Sequence, residues 1–129
     1  MNEKKNLTIK ETFTLAVQNH QKNNFKVAED LYKKVLKTNP NDFESIFFLG
    51  LLSLQTKNFN KALQLLYKAI LIQPNHVNAH NNLGNVQQEL GELQKAIGCY
   101  EKAIEINPNY VSAHYNLGIV LKELGEHKK

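Results

Sequence analysis

The sequence predicts an all-α fold: a right-handed α-solenoid of three full helix hairpins plus the first helix of a fourth, seven helices in a single domain spanning residues 1–129. Two observations lead there. The only three prolines, Pro40, Pro74 and Pro108, are spaced 34 residues apart twice over. In the same register Leu15, Leu49, Leu83 and Leu117 align, as do Ala16, Gly50, Gly84 and Gly118. A period of this length marks a stack of equivalent supersecondary units, none of which buries its apolar face alone. Composition agrees. Hydrophobic residues at 42% and charged residues at 22% suit a packed core, while six glycines and three prolines are too few for a meander of short strands and tight turns.

After an N-terminal extension (1–8), the units run 9–42, 43–76 and 77–110, with a partial fourth over 111–124 and a tail at 125–129. Each full unit carries two apolar stripes at helical spacing, such as 77–90 and 93–106, joined by a short polar link that holds Gly91 in the third unit. The second helices align on Phe25, Phe59 and Leu93, on Ala28, Ala62 and Ala96, on Tyr32, Leu66 and Tyr100, and on Val35, Ala69 and Ala103. Two such helices form an antiparallel hairpin. Gly84, Ala96 and Ala103 let them approach closely, and Leu83, Tyr100 and Ile104 fill the space around them. Proline then ends the second helix, because it lacks the N–H and its ring clashes with the preceding turn.

A 34-residue period with Leu-Gly early, Ala and an aromatic in the middle and a closing Pro resembles the tetratricopeptide repeat (TPR), over residues 9–124. The departures are modest: the fourth place, usually aromatic, holds Thr12, Ile46, His80 and His114, and the tyrosine place holds Asn19, Ser53, Gln87 and Leu121. The Asn-Leu-Gly pattern at Asn82-Leu83-Gly84 and Asn116-Leu117-Gly118 further resembles the repeats of O-linked N-acetylglucosamine transferases and related bacterial TPR proteins. That resemblance implies an inner ladder of asparagines holding a peptide, matched here by Asn82 and Asn116 alone, since Thr14 and Phe48 occupy the earlier places. The co-chaperone subfamily that clamps a C-terminal carboxylate needs Lys and Asn where Phe13 and Val17 stand, which argues against such a clamp.

In a stack of hairpins the first helix of each unit lines the concave side, and its fifth, ninth and twelfth places face a ligand. The candidate groove residues are Phe13, Val17, Phe47, Leu51, Leu54, Asn81, Asn82, Asn85, Gln88, Tyr115, Asn116 and Ile119. The segment SIFFLGLLSLQ (45–55) is apolar on every side. Phe47 and Leu51 therefore either present an apolar binding patch or lie deeper between neighbouring helices. The function expected from this surface is a non-enzymatic module that binds a protein or peptide segment in its groove. The alternative is a substrate-recognition or assembly module of a larger enzyme such as a glycosyltransferase.

Other classes fit less well. All 16 basic residues are Lys, so the formal charge of +4 lacks the bidentate Arg fork that nucleic-acid recognition favours, and no nucleic-acid partner is expected. The lysines concentrate in the first half, with Lys33, Lys34 and Lys37 on one helix. The single cysteine, Cys99, permits no internal disulfide, and MNEKKNLTIKETF lacks the apolar run of a secretory signal. The most apolar stretch is too short to span a bilayer, so no membrane insertion and a cytoplasmic location are expected. Five histidines, among them His76, His80 and His114, have no Cys or carboxylate cluster to complete a metal site, and no acid and base pair suggests catalysis; neither metal nor cofactor is expected. The terminal helix is apolar around much of its circumference. Leu117, Leu121 and Leu124 point either to a longer repeat array or to a homodimer through this helix.

Overall fold

The computed structural model describes residues 7–127; positions 1–6 and 128–129 lie outside the described residues. Seven helices follow one another there: α1 (Ile9–Gln21), α2 (Phe25–Thr38), α3 (Phe43–Gln55), α4 (Phe59–Ile72), α5 (Val77–Glu89), α6 (Leu93–Ile106) and α7 (Val111–His127). The odd-numbered helices begin at residues 9, 43, 77 and 111, in step with the prolines that precede three of them. The last helix runs through Gly125 to His127, beyond the break at 124 that the sequence pattern suggests. No turn is made at Gly125, and a single glycine weakens a helix without ending it.

Local chemistry explains the helix boundaries. Thr8 caps α1 in a reciprocal box with Glu11, the Asp42 carboxylate accepts the Ser45 N–H at 3.1 Å, and His76 Nδ1 accepts the Ala79 N–H at 3.1 Å. Within each hairpin the chain reverses through one left-handed residue: Asn23 at φ 63°, Lys57 at φ 63° and Gly91 at φ 78°. The following N–H then folds back to a carbonyl five residues earlier, Asn24 to Asn19 at 2.9 Å, Asn58 to Ser53 at 2.8 Å and Glu92 to Gln87 at 2.8 Å. Between hairpins the proline carbonyls are held from outside the turn. His80 Nε2 donates to the Pro74 carbonyl and His114 Nε2 to that of Pro108, each at 2.7 Å, while Lys68 Nζ reaches Pro40 at 2.9 Å. The repeated histidines thus have a structural task.

Among the described residues Lys57 is the one long side chain forced into the left-handed region, where Cβ crowds the carbonyl. Lys57→Gly should raise stability by about 1 kcal/mol despite the added freedom of the unfolded chain. A thermal melt that is unchanged or lowered would contradict this reading of the turn.

Packing is sequential. Each helix lies against the next, and the odd-numbered helices also pack on one another, α1 on α3, α3 on α5 and α5 on α7, whereas α2, α4 and α6 show no close backbone approach and α4 reaches α2 by the Lys61–Glu29 ion pair at 3.2 Å. The odd helices therefore form the inner side of the stack and the even helices the outer side. The core divides accordingly: Ala16, Ala28, Tyr32, Leu49 and Leu52 in one cluster, Phe43, Ile46, Phe47, Ala62, Leu66, Ala69, Ala79, Leu83 and Val86 in the next, and Ala96, Tyr100, Ala103, Ala113 and Val120 in the last. Each joins a hairpin to the first helix of its neighbour, so stability is largely a nearest-neighbour property. α3 has neighbours on nearly every side, α1, α2, α4 and α5, and this is why its sequence lacks a polar stripe.

Candidate functional site

The inner faces of α1, α3, α5 and α7 carry two clefts of different character. Between α1 and α3 a cleft of about 330 Å³ is lined by Val17, His20, Gln21, Asn23, Phe48, Leu51 and Gln55. Phe48 lines it beside His20, while Phe13 and Tyr32 pack on Phe48 without lining the cleft themselves. Phe13 meets the edge of Phe48 at 5.7 Å and of Tyr32 at 6.1 Å, and Tyr32 stacks on Phe48 at 6.3 Å between centroids. His20 ties the wall together, accepting the Tyr32 hydroxyl at Nδ1 (2.8 Å) and donating from Nε2 to Gln55 (2.6 Å). Burial pushes the Tyr32 phenol up to about 12, so that it remains a donor.

Between α3, α5 and α7 lies a second cleft of about 440 Å³, lined by Leu54, Asn85, Gln88, Glu89, Asn116 and Ile119. Here the surface is amide flanked by aliphatic side chains. The fully buried Tyr100 sends its hydroxyl up from α6 to Asn85 Oδ1 at 2.7 Å and Gln88 Oε1 at 3.0 Å, and its burial raises the phenol well above the ordinary range. Asn116 Nδ2 donates to Asn81 Oδ1 at 3.2 Å and Asn85 Oδ1 at 3.1 Å, and Gln88 Nε2 donates to Glu123 at 2.8 Å. These bonds fix the amides from beneath. Among the described residues, Asn85 Nδ2 and Asn116 Oδ1 have no side-chain partner, which leaves one donor group and one acceptor group for a ligand.

The sequence-derived candidates fall into three groups. Val17 and Leu51 line the first cleft, and Leu54, Asn85, Gln88, Asn116 and Ile119 line the second. Phe47 is only 7% exposed, stacks on Phe43 at 5.9 Å and meets His76 edge-on at 4.9 Å; of the two alternatives for this residue the deeper one holds, and its apolarity reflects burial inside the stack. Asn81, 5% exposed, serves as a support beneath Asn116, and it is Asn81 and Asn85, not Asn82, that meet Asn116. Tyr115 is 69% exposed and lines neither cleft. On α7, Leu117 and Leu124 are half-buried and Leu121 is exposed. His20, at the twelfth place of the first unit, also lines the first cleft, and Phe48 and Gln55 complete it without standing at the expected places. Phe48 was legible only as the residue in the Asn82 and Asn116 position.

The remaining chemistry is structural. Cys99 Sγ donates to Gln87 at 3.0 Å, and burial pushes its thiol up to about 11, which keeps it protonated and poorly nucleophilic. Among the described residues no three His, Cys, Asp or Glu side chains gather as a metal site, and no helix is long and apolar enough to cross a membrane. His76 caps α5 only while its Nδ1 is unprotonated. Burial against Phe43 and Phe47, together with nearby His80, lowers its pKa below 6.5, against the opposing pull of Glu44. The unfolded chain therefore takes up a proton first. The cap's contribution is complete above about pH 6.5 and is lost as the pH falls below that value. His76→Asn, which caps without titrating, should show a shallower fall in melting temperature between neutral and mildly acidic pH than the wild type. Parallel slopes would contradict the assignment.

Against known families, the model of the anaphase-promoting complex (cyclosome) subunit 3, itself tetratricopeptide-like, matches residues 21–103, and a TPR repeat model matches residues 88–125. No curated protein matches. Among solved structures, the chain is similar to MamA, with 33% identity and a TM-score of 0.81 over 88% of this chain and 66% of that one. It is also similar to a Thermobaculum terrenum O-GlcNAc transferase, with 30% identity and a TM-score of 0.84 over 94% of this chain and 23% of that one. The first TPR of Spaghetti (RPAP3), bound to the HSP90 peptide SRMEEVD, shares the fold at 19% identity and a TM-score of 0.87, over 91% of this chain and 93% of that one. The chain thus spans just under two thirds of MamA and less than a quarter of the transferase.

Proposed function

We propose, for a chain that belongs to the tetratricopeptide-repeat family, that it is a non-enzymatic interaction module holding an extended peptide segment along the inner faces of α1, α3, α5 and α7. One observation carries this: the amides of Asn85 and Asn116, fixed from beneath by Tyr100 and Asn81, turn a free donor and a free acceptor toward a cleft walled by Leu54 and Ile119. An extended backbone offers the complementary carbonyl and N–H without requiring a particular side chain. Side-chain selectivity then comes from the walls. Val17, Phe48 and Leu51 favour an apolar anchor at one end, and Glu89 favours a basic residue at the other.

Selection of peptides from a random displayed library against this chain, followed by affinity measurement, tests the proposal. Asn85→Ala with Asn116→Ala should weaken the selected peptides about tenfold or more, at roughly 1 kcal/mol for each lost bond, with the helical spectrum unchanged. Equal affinity for wild type and double variant would refute it. A second reading, in which the same groove presents substrate to a catalytic domain outside these residues, draws on the similarity to the O-GlcNAc transferase, of which this chain matches 23%.

A further inference from the structure

The outer faces of α2, α4 and α6 are built from equivalent positions of three repeats, yet they differ in a graded way. At the two outermost positions of each C-terminal half stand Lys33 and Lys37 on α2, Tyr67 and Leu71 on α4, and Glu101 and Glu105 on α6, all exposed. At these two positions one edge of the surface is basic, the middle apolar and the other edge acidic, while the position following the first of them is a lysine in all three repeats, Lys34, Lys68 and Lys102. Leu71 is 81% exposed and Tyr67 45%, beside Ile72 at 37%, although the repeats on either side place charged groups at the first two positions. The N-terminal halves are close to neutral: Lys26 pairs with Asp30 at 3.3 Å, and Asn60, Gln64, Gln94 and Gly98 complete the stripes. Lys33 already reaches Glu29 at 3.7 Å and Glu105 reaches Lys102 at 3.5 Å, while Lys37 and Glu101 have no ion-pair partner among the described residues.

A surface that runs from positive through apolar to negative is complementary to itself. A two-fold axis lying along α4 leaves α4 facing α4 and exchanges α2 with α6, so each basic edge meets an acidic edge at the same height along the helices. We propose that this outer surface docks a second copy of the chain in that isologous arrangement, Tyr67 and Leu71 packing across the axis and Lys33 and Lys37 of each copy facing Glu101 and Glu105 of the other. The even helices do not pack backbone against backbone within the chain; α4 reaches α2 through the Lys61–Glu29 ion pair at 3.2 Å, and the six outer positions stay exposed. Nor does the surface overlap the inner clefts, and the proposal stands independently of peptide binding there.

The test is light scattering of the 129-residue chain from micromolar to near-millimolar concentration, at low and high ionic strength. The wild type should reach a dimer at low salt and dissociate more readily at high salt. Lys33→Glu with Lys37→Glu, and separately Glu101→Lys with Glu105→Lys, should each weaken the dimer at least tenfold by placing like charges together. All four changes combined should restore it. The four positions are exposed and both Lys and Glu are good helix formers, so circular dichroism should stay constant across the set. A wild type that remains monomeric overturns the proposal, as does a dimer indifferent to both reversals, or failure of the fourfold variant to recover. A dimer dissolved by Leu121→Glu but by neither reversal would place the contact on α7 and likewise overturn it.

Discussion

Phe47→Ser is expected to destabilise the fold by about 3–5 kcal/mol and to lower the melting temperature by more than about 10 °C. The ring lies in the largest core cluster, between Phe43 and the His76 cap, with Phe48 edge-on at 5.3 Å. Its removal takes away packing and puts an unpaired hydroxyl in the resulting cavity. Leu51, one turn further on, is half-buried and lines the first cleft, so Leu51→Ser should cost about 1–2 kcal/mol and leave a cooperative transition. Thermal unfolding followed by far-UV circular dichroism separates the two. Equal, small effects would mean that Phe47 is a surface residue after all.

Gly84→Ala should cost about 3 kcal/mol, whereas the same change at the equivalent Gly118 should stabilise the protein by roughly 1 kcal/mol. At Gly84 a new methyl would sit 2.5 Å from Tyr100 Cε1 and 2.8 Å from Cδ1, and Tyr100 is fully buried, so the ring cannot swing away. The helices must separate instead. That movement would also withdraw the Tyr100 hydroxyl from Asn85 and Gln88, so peptide affinity should fall together with stability. At Gly118 an added Cβ meets nothing within 4 Å, and only the gain in helix propensity remains. Gly50, where the nearest atom is Leu66 Cγ at 3.2 Å, should fall between them. Melting temperatures that do not follow the order Gly84, Gly50, Gly118 would show that helix spacing is not set at these positions.

The helix order and the stacking were legible because they are carried by features that a 34-residue period repeats: prolines and small residues at the hairpin contact. Two kinds of feature escaped. The first is the hairpin turn, whose left-handed residue is a glycine only at Gly91; Asn23 and Lys57 adopt the same conformation without announcing it by residue type. The second is the fine rotation of the inner helices. Neighbours on a helix differ by about 100°, so a small change in how α3 sits between α1 and α5 decides whether Phe47 or Phe48 faces the cleft. The same offset between α5 and α7 determines that Asn116 meets Asn81 and Asn85 while Asn82 stands apart. An amide ladder inferred from one position in each repeat cannot register a shift of one residue along the neighbouring helix.

The side-chain amide resonances of Asn85, Gln88 and Asn116, followed by NMR during titration with a library-selected peptide, report whether the inner amides hold the peptide. Saturable shifts are expected at these three amides, accompanied by the backbone of α5 and α7 and by Val17 and Leu51 when the peptide carries an apolar anchor. Shifts confined to α2, α4 and α6, with the three amides unmoved at saturation, would contradict peptide binding in the groove.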